Sequence, residues 1–154
     1  MSDAPPGRGQ PADILLVEDN PGDVRLTEEA FREARINNEL HVVRDGEAAL
    51  DFLHQRDDYV DSPRPSLVLL DLNLPRVSGM DVLEEAKTDP SLRSIPIVIL
   101  TSSEAEEDVV ESYENHSNAY LTKPIDPDDF VALVRKFEDF WLTLVELPPE
   151  PDEP

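Results

Sequence analysis

The sequence has no cysteine, which excludes disulfides, thiolate nucleophiles and cysteine-bound zinc. It is also poor in lysine. Lys87, Lys123 and Lys136 are the only three, and no stretch gathers Lys and Arg into a patch that would neutralise a phosphate backbone. With a net charge of −22, nucleic acid is not an expected partner. No apolar run nears the roughly 18 residues of a membrane span. The opening Met1-Ser2-Asp3-Ala4-Pro5-Pro6 has neither the basic nor the apolar block of a signal peptide. A cytoplasmic protein without a membrane partner is expected. His41, His54 and His116 lie far apart and lack the spacing of a metal-binding pair, so they read as solvated or structural histidines.

What is present is enough for one domain. A chain of 154 residues with 39% hydrophobic side chains can bury one sizeable core. Its Asp and Glu residues are spread along the whole length rather than collected in a tail. Self-repulsion on this scale strains a compact fold at low salt, and concentrated salt relieves it, because the Debye length falls to about 3 Å at 1 M. The composition therefore points to a halophilic source.

Residues 1–11, with three prolines and two glycines, and residues 148–154, all proline and acid, read as disordered tails around a domain at 12–147. Within it, apolar runs at 14–17, 40–43, 67–70, 97–100 and 119–122 alternate with segments of helical period. Their starts lie roughly 22 to 30 residues apart, the length of a βαβ unit. Their continuous β-branched character suits strands buried on both faces. The fold class is therefore α/β, a three-layer sandwich around a five-stranded parallel sheet. Helix starts agree: Asn20-Pro21 and Asp126-Pro127 pair a capping residue with a first-turn proline, Ser103 and Glu106 match a capping box, and Ser78 is placed to cap the third helix.

Ligands of such sheets bind beyond the carboxyl ends of the strands. Glu18 and Asp19 follow the first strand, Asp71 the third, Thr101 the fourth, and Lys123-Pro124 the fifth. Three carboxylates gathered there would repel one another by about 4 kcal/mol per pair at an intermediate dielectric, which calls for a cation. Hard oxygen ligands favour Mg2+, with water and phosphate oxygens completing its shell. An added ammonium and hydroxyl suit stabilisation of a phosphoryl group in transit, with Asp71 as nucleophile. Taken singly, each of these residues also has an ordinary reading: Glu18-Asp19 as solvated acid, Thr101 as a helix lead-in, Tyr120 as a core aromatic.

Val17-Glu18-Asp19-Asn20, Leu69-Leu70-Asp71-Leu72-Asn73-Leu74-Pro75, Ile99-Leu100-Thr101-Ser102-Ser103 and Tyr120-Leu121-Thr122-Lys123-Pro124 resemble the four motifs of response-regulator receiver domains, the CheY-like fold with strand order 2-1-3-4-5. The resemblance runs from about Asp13 to Leu147. The acidic stretch at 57–65, Asn115-His116-Ser117-Asn118 and Asp139-Phe140-Trp141-Leu142 are most similar to single-domain regulators that partner phytochrome-type histidine kinases, and with the acidic composition a haloarchaeal member is expected. The resemblance implies that Asp71 accepts a phosphoryl group from a kinase phosphohistidine. It further implies that Glu18, Asp19, Asp71 and the Asn73 carbonyl hold Mg2+, that Lys123, Thr101 and Ser102 serve the phosphoryl group, and that Thr101 and Tyr120 form a switch. Asn73 and Ser103 match positions that tune hydrolysis of the acyl phosphate, and Lys123-Pro124 matches a cis-proline junction.

The implied protein is a phosphorylation switch and not a turnover enzyme. It signals to a downstream protein by contact, or else serves as a relay shuttle or phosphate sink. A phosphatase of the haloacid dehalogenase kind also uses a strand-end Asp with Mg2+, but needs a second acid where Asn73 stands. A pseudo-receiver would have lost Asp71 or Lys123. A calcium loop opening at Asp71 lacks its glycine and bidentate Glu. A last helix running on from Pro127 to Leu147 would measure roughly 30 Å and overhang strands of about 17 Å. Phe130, Leu133, Val134, Phe137, Phe140, Trp141 and Val145 fall on its apolar stripe. Phe137, Phe140, Trp141 and Val145 are therefore expected at a homodimer or partner interface, rather than folded back on the core.

Overall fold

The computed structural model describes residues 12–34, 38–111 and 119–134. Five strands, β1 (Ala12–Val17), β2 (Asn38–Val43), β3 (Leu67–Asp71), β4 (Ile97–Thr101) and β5 (Ala119–Thr122), form one parallel sheet in the order β2-β1-β3-β4-β5. Five helices alternate with them: α1 (Pro21–Ala34), α2 (Gly46–His54), α3 (Gly79–Thr88), α4 (Glu104–Glu111) and α5 (Pro127–Val134). This is the expected three-layer sandwich.

Alternation along the strands divides the core in two. Leu15, Val17, Val68, Leu70, Ile97 and Ile99 pack with Leu50, Phe52 and Leu53 of α2 and Val82, Leu83 and Ala86 of α3. Ile14, Leu16, Leu67, Leu69, Val98 and Leu100 face the other way, onto Ala30 and Phe31 of α1 and Phe130 and Leu133 of α5. There the rings of Phe31 and Phe130 meet with centroids 4.6 Å apart. Because residues 14–17 of β1 and all of β3 and β4 are buried, each large apolar side chain there contributes about 1.5–3 kcal/mol of burial, and a one-residue slip would swap the two cores.

The helix starts are capped where the sequence places them. Asn20 Oδ1 accepts from the Asp23 N–H at 3.1 Å, Ser78 Oγ from Asp81 at 3.1 Å, and Asp126 Oδ1 from Asp128 and Asp129 at 2.8 and 3.1 Å. Asp45 adds a cap on α2, accepting from Ala48 at 2.7 Å. Two strands start earlier than their apolar runs. β1 and β2 take in Ala12, Asp13, Asn38 and Glu39, and Asp13 reaches across to His41 Nε2 at 2.9 Å. The acidic stretch after α2 is not all loop, since Asp57–Tyr59 forms a 3-10 turn. His54 pairs with Glu85 at 3.0 Å, so His41 and His54 are structural, as read. His116, the proposed tails and the apolar stripe of Phe137, Phe140, Trp141 and Val145 lie outside the described residues.

Candidate functional site

Register alone carries the strand-end residues to one edge. Val17 pairs with Leu70, Asp71 with Leu100 and Thr101 with Thr122, so the next residues, Glu18, Asp71, Thr101 and Lys123, stand side by side. Asp71 and Thr101 are the last residues of their strands, and both are buried. Glu18 is also buried, at 1% exposure, whereas Asp19 is open to solvent.

Lys123 is the electrostatic centre. Its Nζ lies 3.2 and 3.4 Å from the two Glu18 oxygens, 3.3 Å from Asp71 Oδ2 and 3.0 Å from Asp23 Oδ2. Burial pulls the ammonium pKa down, but the Asp23 hydrogen bond and the charges of Asp71 and Glu18 outweigh it and hold Lys123 above the ordinary lysine value. The carboxyl of Glu18 is pushed up to about 7, first by burial and then by Asp71, with Lys123 opposing. One ammonium thus faces three carboxylates, and the buried pair of Glu18 and Asp71 is under-compensated. Glu18, Asp19 and Asp71 each offer an oxygen within 4.8 Å of the others. That all-oxygen, partly exposed donor set fits a hard divalent cation and leaves room for water or phosphate oxygens.

The remaining predicted residues surround this centre. The Asn73 N–H donates to Asp71 Oδ1 at 3.2 Å. Thr101 Oγ1 points toward β5, where it donates to the Leu121 carbonyl at 3.4 Å, and the Lys123 N–H donates to the Thr101 carbonyl at 2.8 Å. Tyr120, opposite Ile99, is half-buried against the α2/α3 core. Ser102 and Ser103 are exposed at the mouth, and the Lys123–Pro124 peptide is cis, matching the junction expected from the motif. Gly79 fits beneath the acceptor. A Cβ there would lie 2.4 Å from the Asp71 carbonyl oxygen and 2.9 Å from Leu72 Cα, so only glycine allows α3 to start so close.

Three contacts were not foreseen from sequence. Asp23, in the first turn of α1, joins Lys123. Glu106 does not close the capping box onto Ser103. Its side chain accepts from the Ser102 N–H at 2.6 Å and from Asn73 Nδ2, while its own N–H donates to Ser103 Oγ at 3.2 Å. Glu107 accepts from the Thr122 hydroxyl at 2.7 Å. The only signal for Asp23 and Glu106 in the sequence was an acid in the first turn of a helix that starts at the sheet's carboxyl edge.

Comparison with known proteins agrees with this geometry. The profile described as the response regulator receiver domain matches residues 14–135. Response regulator Rcp1 of Synechocystis sp. (strain ATCC 27184 / PCC 6803 / Kazusa) is 50% identical over 138 residues, which is 90% of this chain and 94% of Rcp1. The Mn(2+)-bound form of Rcp1 superposes with a TM-score of 0.69, covering 90% of this chain and 100% of that one. The bacteriophytochrome response regulator RtBRR superposes with a TM-score of 0.80 at 45% identity, covering 91% and 86%. The phosphorylated cyanobacterial phytochrome response regulator RcpA gives a TM-score of 0.70 at 43% identity, covering 86% and 95%.

Proposed function

The chain belongs to the response regulator receiver family, and on that premise we propose that Asp71 is the residue that carries its phosphoryl group. As a receiver it is a phosphoacceptor switch of two-component signalling, served by a histidine kinase, and not a turnover enzyme. The observation that carries the assignment is a buried strand-end carboxylate 3.3 Å from a lysine, with two further carboxylates close enough to share a cation.

An Asp71 oxygen attacks the phosphorus of the kinase phosphohistidine. The P–N bond breaks, and its electron pair stays on the imidazole nitrogen, which takes up a proton. Lys123 neutralises charge on the transferred oxygens and must loosen its hold on Asp23 or Glu18 to do so. Thr101 turns its hydroxyl from the Leu121 carbonyl toward the phosphoryl group, which opens space for Tyr120 to move inward. Ser102, small and exposed, admits the donor. Glu18, Asp19 and Asp71, with the Asn73 carbonyl, would hold a divalent cation, which we assign as Mg2+. When bound, it supplies positive charge to the phosphoryl oxygens. Asn73 and Ser103 occupy the positions that tune hydrolysis in receivers and would set the lifetime of the acyl phosphate, a self-limiting reaction of the domain.

Similarity to RtBRR, RcpA and Rcp1 supports a phytochrome-type kinase as the cognate donor and a cytoplasmic setting. The charge of −22 supports a saline cell interior, as in haloarchaea. Output passes by contact with a target protein or a second copy of the chain. The sequence stripe of Phe137, Phe140, Trp141 and Val145 is the proposed contact. Trp141→Glu is expected to reduce self-association in sedimentation, and an unchanged oligomeric state in both phosphorylation states would refute that surface.

The test of the central assignment is incubation with Mg2+ and acetyl phosphate or beryllium fluoride, read by intact mass and by fluorine NMR respectively. The wild type is expected to form an adduct and Asp71→Asn none. A wild type without adduct at both low and high salt would overturn the reading.

A further inference from the structure

Glu106 stands at the mouth of the acceptor and belongs to none of the four strand-end motifs. A glutamate three residues after a capping serine ordinarily returns its carboxylate to the serine's own N–H. Here that N–H is passed over. One oxygen takes the N–H of Ser102, the residue next to Thr101, at 2.6 Å, and the other takes the side-chain amide of Asn73, whose backbone N–H is on Asp71. One carboxylate on α4 therefore bridges the loops after β3 and β4, taking one donor from the residue whose backbone N–H binds Asp71 and the other from the residue next to Thr101. Glu107 ties the same helical turn to Thr122, beside Lys123.

A neutral glutamine would hold the Ser102 N–H through its one acceptor oxygen, and Asn73 could turn its amide to accept from the glutamine NH2, so both bridges can be made without a charge. The charge of Glu106 has a specific consequence. Any anion approaching Asp71 from the open side meets a second anion that already occupies nearby donors, and like charges facing one another slow encounter and raise the barrier to docking. The geometry points to Glu106 as a charge-selective latch that slows, without abolishing, reaction of the acceptor with small, doubly charged phosphodonors until α4 moves or a docked protein replaces its contacts. This inference rests on the receiver reading and extends it from who accepts the phosphoryl group to which donors are admitted. Glu106 acts through Ser102 and Asn73 and is a positioning residue.

Phosphorylation kinetics of the full chain, with Mg2+ at one fixed salt concentration, test it. The donors are acetyl phosphate, a dianion near neutral pH, and phosphoramidate, which carries less negative charge. Glu106→Gln keeps the Ser102 contact and the helix but removes the charge. It is expected to accelerate acetyl phosphate by about three- to tenfold, as removal of one nearby like charge should, and phosphoramidate by clearly less. Glu106→Asp keeps the charge and is expected to retain the wild-type preference between donors, which guards against a merely structural effect. An unchanged or slower acetyl phosphate rate in Glu106→Gln, or equal acceleration with both donors, overturns the latch while leaving the receiver reading intact. Absence of any adduct in all three proteins removes the receiver reading and the latch with it.

Discussion

Glu18 is held at a cost. It is buried beside Asp71, and neither the Lys123 ammonium nor the Asn20 N–H at 3.3 Å offsets the loss of hydration together with the repulsion, as its raised pKa shows. Removing its charge should therefore stabilise the protein without metal and impair metal binding. Glu18→Gln is expected to raise the metal-free stability by about 1 kcal/mol, read as a higher urea midpoint, and to weaken Mg2+ binding in calorimetry by at least about tenfold. A lower midpoint, or unchanged Mg2+ affinity, would mean that Glu18 is structural. The acids and Lys123 at this centre were legible in the sequence because each ends a strand, and strand ends of a parallel sheet converge by rule. Asp23 and Glu106 were not. Each sits on a helix, and whether a helical side chain reaches the site depends on how far that helix is rotated and tilted against the sheet, which periodicity does not specify.

At the scale of elements, the site depends on how closely α3 begins under β3. Two principles disagree about Gly79→Ala. Helix propensity favours alanine by about 1 kcal/mol. A methyl group 2.4 Å from the Asp71 carbonyl oxygen must displace backbone, an overpacking cost of about 1–3 kcal/mol. The contact is with backbone and not with a flexible side chain, so the clash should win. Gly79→Ala is expected to lower the urea midpoint and to slow phosphorylation by shifting Asp71. A midpoint equal to or above wild type would show that α3 can step back freely. The sequence marked this junction only as a helix start at Ser78, since a single glycine after a cap does not reveal what lies beneath it. The sheet order, by contrast, was implied by the four motifs, and the five strands were plain from their apolar runs. The early starts of β1 and β2 were hidden, because Asp13 and Glu39 are polar and their place in the ladder is fixed by pairing.

For the whole molecule, the balance of 13 basic to 35 acidic residues decides the conditions under which this switch works. The basic side chains are too few to match the acids one for one, so the mutual repulsion of the excess is a term that folding must overcome and that mobile ions can screen. The Debye length falls from about 30 Å at 0.01 M to about 3 Å at 1 M, so screening should act mainly over the first several hundred millimolar. Salts that act by exclusion from the protein surface continue to stabilise beyond that range and differ by anion. Thermal unfolding in KCl from 50 mM to 2 M is therefore expected to give a steep rise in Tm at low salt that flattens above about 1 M. Potassium sulfate at equal ionic strength should follow the same early curve. A Tm independent of salt would remove the case for a saline environment. A rise confined to sulfate would assign the stabilisation to the hydrophobic core, whose burial such salts strengthen, and not to surface charge.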